Sequence, residues 1–324
     1  MPRIAFLFRT DVHLSDRSPM SWKGDYAEEI WANLDQIGKL AKEHEVRAVL
    51  DGGDYFHVKS PAKNPHHLNE KSARIHRGYP CPTYCVEGNH DLTYNSLESL
   101  ARQPLGVLYA SGVFNHLREE VFEDGDLRVR VVGVPYSPNR SLADMLSIQK
   151  KRGDTHLIAV VHSLASKSPP PSVADFWNEP VFSYESLVTR NGPDCWFFGH
   201  WHKDQGIEVV GGKQFINQGA VSRGSLVREN LERTPKVALI EFDGKGLKVA
   251  AISLSVAPPS DVFDLEKKAL QERERHDIDQ FVLRLMSDGA VDPDATIEDN
   301  VRSLDFADDV RSEALRYLEM AENG

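Results

Sequence analysis

Residues 83–91 read Thr83-Tyr84-Cys85-Val86-Glu87-Gly88-Asn89-His90-Asp91, a short run suited to a strand followed at once by a group of residues of metal-ligand type beside a glycine. The same succession recurs along the chain. Arg3–Phe8 is followed by Asp11-Val12-His13, and Val46–Leu50 by Asp51-Gly52-Gly53-Asp54. His156–Val161 leads into His162, and Trp196–Phe198 into Gly199-His200-Trp201-His202. Short apolar runs bounded by glycine read as buried strands. Loops at the carboxyl ends of such strands are where open sheets place their sites. Glycine beside a ligand lets the backbone turn tightly and come close to a metal.

Helical spacing appears between the strands. Glu28–Lys42 carries Ile30, Trp31, Leu34, Ile37, Leu40 and Ala41 on one face, and the polar stretch His66–His76 is a second, weaker helix. Arg128–Val134, Lys213–Asn217, Lys236–Phe242 and Leu247–Leu254 are further strands, with Gly244 turning the last pair into a hairpin. Ser163–Pro180, which contains Pro169-Pro170-Pro171, reads as a loop. Strands alternating with helices predict an α/β catalytic domain over residues 1–256. Ala257-Pro258-Pro259-Ser260 then forms a linker at 257–260. Residues 261–324 change character, with Val262–Met286 and Ile297–Met320 as two acidic helices.

Composition sets the outer bounds. The 324 residues are 40% hydrophobic and 9% aromatic, which suits a folded chain and argues against long disorder. The net charge of −11 belongs to the tail. Residues 1–260 hold 30 Lys+Arg against 31 Asp+Glu, whereas 261–324 hold 8 against 18. A near-neutral catalytic part neither favours nor excludes a polyanionic substrate. No stretch reaches the roughly 18–20 apolar residues of a membrane span. The apolar run Ile4–Phe8 is too short for a secretory signal, so a cytoplasmic location is expected, with no membrane association. Cys81 and Cys85 lack a second cysteine pair to complete a zinc ribbon, so these thiols and Cys195 are expected to be reduced and buried.

Ligand chemistry narrows the function. Asp11, His13, Asp54, Asn89, His162, His200 and His202 form a mixed oxygen and imidazole set without thiolate. That set suits manganese first, with iron, zinc or magnesium as alternatives, and not a closed structural zinc. Seven ligands exceed what one such ion takes. They divide between two ions if one carboxylate bridges, leaving open positions for water and substrate. Each piece is weak alone: His162 by itself would be an ordinary polar group at a strand end. Their joint order, each after a strand-like run, is what carries the reading.

Asp11-x-His13, Gly53-Asp54, Gly88-Asn89-His90-Asp91, His162 and Gly199-His200-x-His202 together resemble the motif set of the calcineurin-like metallophosphoesterases, over roughly residues 3–256. The resemblance implies a four-layer α/β/β/α sandwich, here with a C-terminal helical appendage. It implies that Asp11, His13 and His202 hold one divalent metal, that Asn89, His162 and His200 hold the other, and that Asp54 bridges. His90 would be a catalytic histidine near the scissile phosphate, protonating the leaving oxygen or stabilising charge, a task imidazole suits near neutral pH. Water activated between the two ions would attack phosphorus.

Asp54-Tyr55-Phe56-His57 with Ser60-Pro61, Asp91 after His90, and the opening Asp11-x-His13-Leu14-Ser15-Asp16-Arg17-Ser18-Pro19 are similar to the SbcD-type DNA-repair exonuclease branch, including bacteriophage members. That branch implies a DNA substrate, a catalytic assisting role for His57 (the alternative being a histidine that only orients Asp54), and a partnership with an SbcC-like coiled-coil ATPase through residues 261–324. A homodimer or a fold back onto the catalytic domain is the alternative use of that tail. The match departs from the branch in two places. No room is left for a full capping domain, and Asn217-Gln218-Gly219-Ala220 stands where Asn-Pro-Gly-Ser is usual. Arg17, Lys23, Lys59, Lys63, Lys203, Arg223 and Arg228 are candidate contacts to backbone phosphates. The competing function is a metallophosphodiesterase or phosphatase acting on small nucleotides or other phosphate esters.

Overall fold

The computed structural model of the chain describes residues 2–19, 22–169, 178–224, 228–266, 269–270, 273 and 311. It divides into two units, Met1–Phe263 and Asp264–Gly324. Most of the two predicted tail helices lies outside the described residues.

Two six-stranded sheets form the first unit. The strands of one are β1 (Arg3–Arg9), β2 (Ala48–Asp51), β3 (Thr83–Cys85), β4 (Phe114–His116), β13 (Lys236–Asp243) and β14 (Gly246–Ser253), in the order β14-β13-β1-β2-β3-β4. The other comprises β5 (Glu119–Asp124), β6 (Leu127–Val134), β7 (His156–His162), β10 (Cys195–Gly199), β11 (Asp204–Val210) and β12 (Lys213–Gln218), in the order β11-β12-β10-β7-β6-β5. The strands β1 to β4 run parallel, as do β6, β7, β10 and β12, so the loops after β1, β2, β3, β7 and β10 leave from carboxyl ends.

The period-two alternation of a strand decides which face each residue serves. From β1, Ile4, Phe6 and Phe8 enter the core between the sheets, meeting Val129, Val131, Ile158, Val160, Phe197 and Ile216. Ala5 and Leu7 face the other way, against Ile30, Trp31, Leu34 and Ile37 of α1 (Tyr26–Glu43). On the far side of the second sheet, Ala159, Val161, Trp196, Phe198 and Phe215 are covered by Met145, Tyr184 and Leu187. Each Val, Leu, Ile, Phe or Met among them contributes roughly 1.5–3 kcal/mol on burial. The layers are therefore helix, sheet, sheet, helix, as expected for the α/β sandwich. Capping agrees with the packing: Asp25 accepts from Ala27 N at the start of α1, and Lys42 lies in its last turn.

Two local expectations need correction. Ser163–Pro180 is not all loop, because Leu164–Ser166 forms β8 and pairs in parallel with β9 (Val181–Ser183). A pairing made across that much sequence leaves no local periodicity to read. The β13–β14 hairpin does turn at Gly244-Lys245 as expected, with Gly246 in the left-handed position (φ +118). Asp243 Oδ1 accepts from Lys245 N and fixes the two-residue turn. Finally, chain packing continues past Pro258-Pro259: Val262 and Phe263 are buried, with Phe263 edge-on to Trp22 at 5.0 Å. All three cysteines are free, with Cys85 and Cys195 buried and Cys81 half-buried. Among the described residues no helix is long and apolar enough to cross a membrane.

Candidate metal centre

Backbone hydrogen bonds sew the loops after β1 and β2 together before any side chain is considered. Asp11 N donates to Gly53 O at 3.0 Å, His13 N to Asp54 O at 2.9 Å, and Leu14 N to Tyr55 O at 2.8 Å. Asp11 (φ 53), His13 (φ 47), Asp54 (φ 55) and His200 (φ 85) all sit in left-handed backbone, a conformation unfavourable to side chains and typical of functional loops. Close approach is enforced at Gly88, where a Cβ would overlap Asp54 Oδ1 and its backbone N.

Beneath the loop carrying Asp54 lies a buried ion pair, Arg9 Nε to Asp51 Oδ2 at 2.7 Å. Asp51 Oδ1 accepts from Gly53 N at 3.0 Å. Asp91 acts from the other side. Its Oδ2 accepts from Asp54 N at 2.8 Å, Gly88 N at 3.0 Å and Tyr55 N at 3.3 Å, and its Oδ1 accepts from Phe56 N at 3.2 Å. Four N–H donors converge on one carboxylate, so Asp91 holds the loops after β2 and β3 in a single register.

The predicted ligands converge in two groups that share Asp54: Asp11, His13, Asp54 and His202 in one, and Asp54, His162 and His200 in the other. Within each group the ligand atoms all lie within 4.8 Å of one another. In the first, His13 Nε2 and His202 Nε2 are 2.8 Å apart, and Asp11 Oδ1 lies 3.8 Å and 3.6 Å from them. In the second, His162 Nε2 lies 3.2 Å from Asn89 Oδ1, which brings Asn89 to this group. His162 Nδ1 donates to Gly52 O at 2.6 Å, leaving Nε2 as the ligand nitrogen. Asp54 Oδ1 is occupied by His90 N at 2.7 Å. Its Oδ2 is buried with no hydrogen-bond partner among the described residues, 3.7 Å from His13 Nε2 and 3.4 Å from His162 Nε2. A buried, unbonded carboxylate oxygen facing a nitrogen of each group fits two cations bridged by Asp54.

Electrostatics couple the two groups. Burial works against the Asp54 charge, but His162, His13 and His90 outweigh it and hold the carboxyl well below the usual range. Burial likewise opposes charge on His162, yet Asp54 raises it to about 9. Burial, only partly offset by His162, pushes Asp11 up to about 6. Negative charge on Asp54 is thus stabilised by positive charge beside it.

His90 and His57 flank the first group. His90 Nδ1 donates to the His57 carbonyl at 2.6 Å, and the two rings stack at 5.3 Å and 18°. His57 Nδ1 lies 3.4 Å from His13 Nδ1. Of the candidate phosphate contacts, Arg17, Lys23, Lys59, Lys63 and Lys203 are exposed. Arg223 is not available: it is 1% exposed and makes a bidentate pair with Glu29 at 3.0 and 2.6 Å. The Arg228 side chain lies outside what the structure describes. Sequence reading passed over Arg9, Asp51, Tyr136 and Glu179, and used Asp91 only as a branch marker. Asp51 and Asp91 sit inside quoted motifs and had a signal; Tyr136 and Glu179 had none.

With the geometry in place, the comparisons are specific about family. The sequence profile of the calcineurin-like phosphoesterase family matches residues 4–204. No curated protein matches the sequence significantly. Among solved structures, the chain is similar to the sulfate thiohydrolase SoxB of Thermus thermophilus, at 12% identity and TM-score 0.46, covering 77% of this chain and 56% of that one. A calcineurin-like phosphoesterase, YfkN, from Bacillus subtilis aligns at 12% identity and TM-score 0.45, covering 80% and 94%. A dimetal phosphatase from Danio rerio aligns at 12% identity and TM-score 0.41, covering 79% and 100%.

Proposed function

Because the chain belongs to the calcineurin-like phosphoesterase family, we propose that it is a two-metal-dependent DNA nuclease of SbcD type, cleaving phosphodiester bonds. The observation that carries the hydrolytic part is Asp54 Oδ2, buried and unbonded between His13 and His162. Asp11, His13, His202 and Asp54 would hold one ion, and Asp54, Asn89, His162 and His200 the other. Manganese suits this oxygen and imidazole set. When bound, the two ions supply Lewis acidity and a hydroxide source near neutral pH.

The chain's own residues do the rest. Gly52 O fixes the His162 tautomer, and Asp91 and Asp51 hold the Asp54 loop still. His90 keeps its Nδ1–H on the His57 carbonyl, so in the cationic form its Nε2–H is the proton for the leaving oxygen. His57, stacked on His90, limits the ring's swing. Support for the nuclease branch is that His57, outside the general motif set, stands within this histidine group. Residues 261–324 are the segment through which the chain would dock on a coiled-coil ATPase, its acidic face meeting a basic one. Full co-purification after deletion of 267–324, which spares the buried Phe263, would remove that partnership, and a lost dimer would reassign the tail to self-association.

The decisive assay is manganese-dependent cleavage of end-labelled single- and double-stranded DNA beside bis-p-nitrophenyl phosphate, with Asp54→Ala/His90→Ala as control. Cleavage by the wild type alone is the expected result. Hydrolysis of the small diester without DNA cleavage, with or without an ATPase partner, would return the protein to small phosphate esters.

A further inference from the structure

Glu179 reaches the second ligand group from outside every motif. Its carboxylate is mostly buried, with 15% of the side chain exposed, and its Oε2 lies 3.0 Å from His200 Nε2. The other oxygen, Oε1, accepts from Tyr136 Oη at 2.5 Å. Tyr136, in the loop after β6, stands edge-on to both imidazoles of the group, 5.4 Å from His200 and 6.0 Å from His162. Its own backbone N donates to Glu87 O at 2.8 Å, which ties it to the loop after β3. Glu179 itself lies two residues before β9, whose pairing with β8 returns the chain to the centre.

These contacts have one chemical consequence. An imidazole can offer a metal only the nitrogen that carries no proton, and the partner of the opposite nitrogen decides which that is. A carboxylate accepts and does not donate, so Glu179 places the proton on His200 Nε2 and leaves Nδ1 as the lone-pair atom. The mirror case is already present in the same group, where Gly52 O places the proton on His162 Nδ1 and leaves Nε2. His200 sits in a left-handed backbone position (φ 85), of the kind found at functional loops.

We propose that Glu179 is a positioning residue of the metal centre. Braced by Tyr136, it sets the tautomer and ring angle of His200 and so determines the affinity of the second cation. This inference rests on the two-cation reading above.

The test is a manganese-binding isotherm of the full chain, followed by electron paramagnetic resonance of free ion, for wild type, Glu179→Ala, Glu179→Gln and Tyr136→Phe. Partners of metal-bound histidines are generally worth about 10–100-fold in metal affinity. Glu179→Ala is therefore expected to weaken the second ion by about that factor and leave the first unchanged. Glu179→Gln, whose amide oxygen still accepts from Nε2–H, should recover most of the loss, and Tyr136→Phe should fall between. Two unchanged affinities in Glu179→Ala would overturn the proposal. So would a Glu179→Gln variant as impaired as Glu179→Ala, since Glu179 would then be a ligand itself. If Glu179→Ala fails to fold, the Gln and Phe variants still decide. A wild type that binds fewer than two ions would instead overturn the two-cation reading, which keeps the two failures distinct.

Discussion

Single side chains decide how rigid this centre is, and Asp91 is the clearest case. Removing it strands as many as four N–H donors, of Asp54, Tyr55, Phe56 and Gly88, in a dry loop. Unsatisfied buried donors cost about 1–3 kcal/mol each, though backbone relaxation recovers part of the sum. Asp91→Ala is expected to lose about 3–5 kcal/mol in urea unfolding, and a loss under about 1 kcal/mol would mean that water replaces the carboxylate. His76 offers a pH-dependent counterpart away from the ligands. Its Nδ1 donates to Ser72 O at 2.8 Å and its Nε2 accepts from Arg9 at 2.8 Å, an arrangement open only to the neutral ring. Burial, reinforced by the Arg9 charge, holds its pKa well below the ordinary value. The unfolded chain therefore binds the extra proton first, and the His76 contribution is lost as pH falls below about 6.5. The slope is at most about 1.4 kcal/mol per pH unit. Urea unfolding of wild type and His76→Gln between about pH 7.5 and 5.5 should show their stability gap closing with acid. Parallel curves would show that His76 does not couple folding to pH.

Elements explain what could be read in advance and what could not. The strands β1, β2, β7 and β10 lie inside the sheets, are buried on both faces, and so show as apolar runs, while β3 is short with only Tyr84 half-buried. The strands β5 and β11, with burial alternating or only intermediate, occupy sheet edges and look like loops in sequence. The seven candidate ligands stand out in the sequence because they lie at or just after the carboxyl ends of central strands. Glu179 and Tyr136 were not, since their approach depends on the β8–β9 excursion and on a loop with no motif. The helix α1 carries a similar hidden constraint. An alanine in place of a helix-interior glycine ordinarily gains about 1 kcal/mol. At Gly38, however, a Cβ would lie 2.7 Å from Tyr79 Cε1 and 2.9 Å from Cδ1. Tyr79 cannot swing aside freely, because its hydroxyl donates to Leu34 O at 2.6 Å and accepts from Arg9 at 3.3 Å. Gly38→Ala is expected to destabilise by about 1–3 kcal/mol. A raised melting temperature would show that the ring gives way and propensity wins.

At the scale of the whole chain, charge is distributed in a way that affects any polyanionic substrate. Residues 267–324 hold 8 Lys+Arg against 15 Asp+Glu, a large share of the total of −11. A nucleic acid would feel that charge as a repulsive background, screened beyond about 10 Å at 0.1 M salt. Where the chain is cut matters for testing this. Phe263 is fully buried against Trp22, and the Arg223 guanidinium lies 5.9 Å from each of those rings. A truncation should therefore end after Glu266, keeping this plug, and not at the prolines before it. In an Asp54→Ala background, which stops cleavage in both proteins, residues 1–266 should bind end-labelled DNA more tightly than the full chain at about 50 mM salt. Fluorescence anisotropy would follow it, and the gap should close toward about 500 mM as screening removes the repulsion. A gap unaffected by salt would mean that the tail acts by covering the DNA path. Weaker binding by the truncated protein would mean that residues 267–324 themselves contact DNA, and that their net charge is the wrong guide to their role.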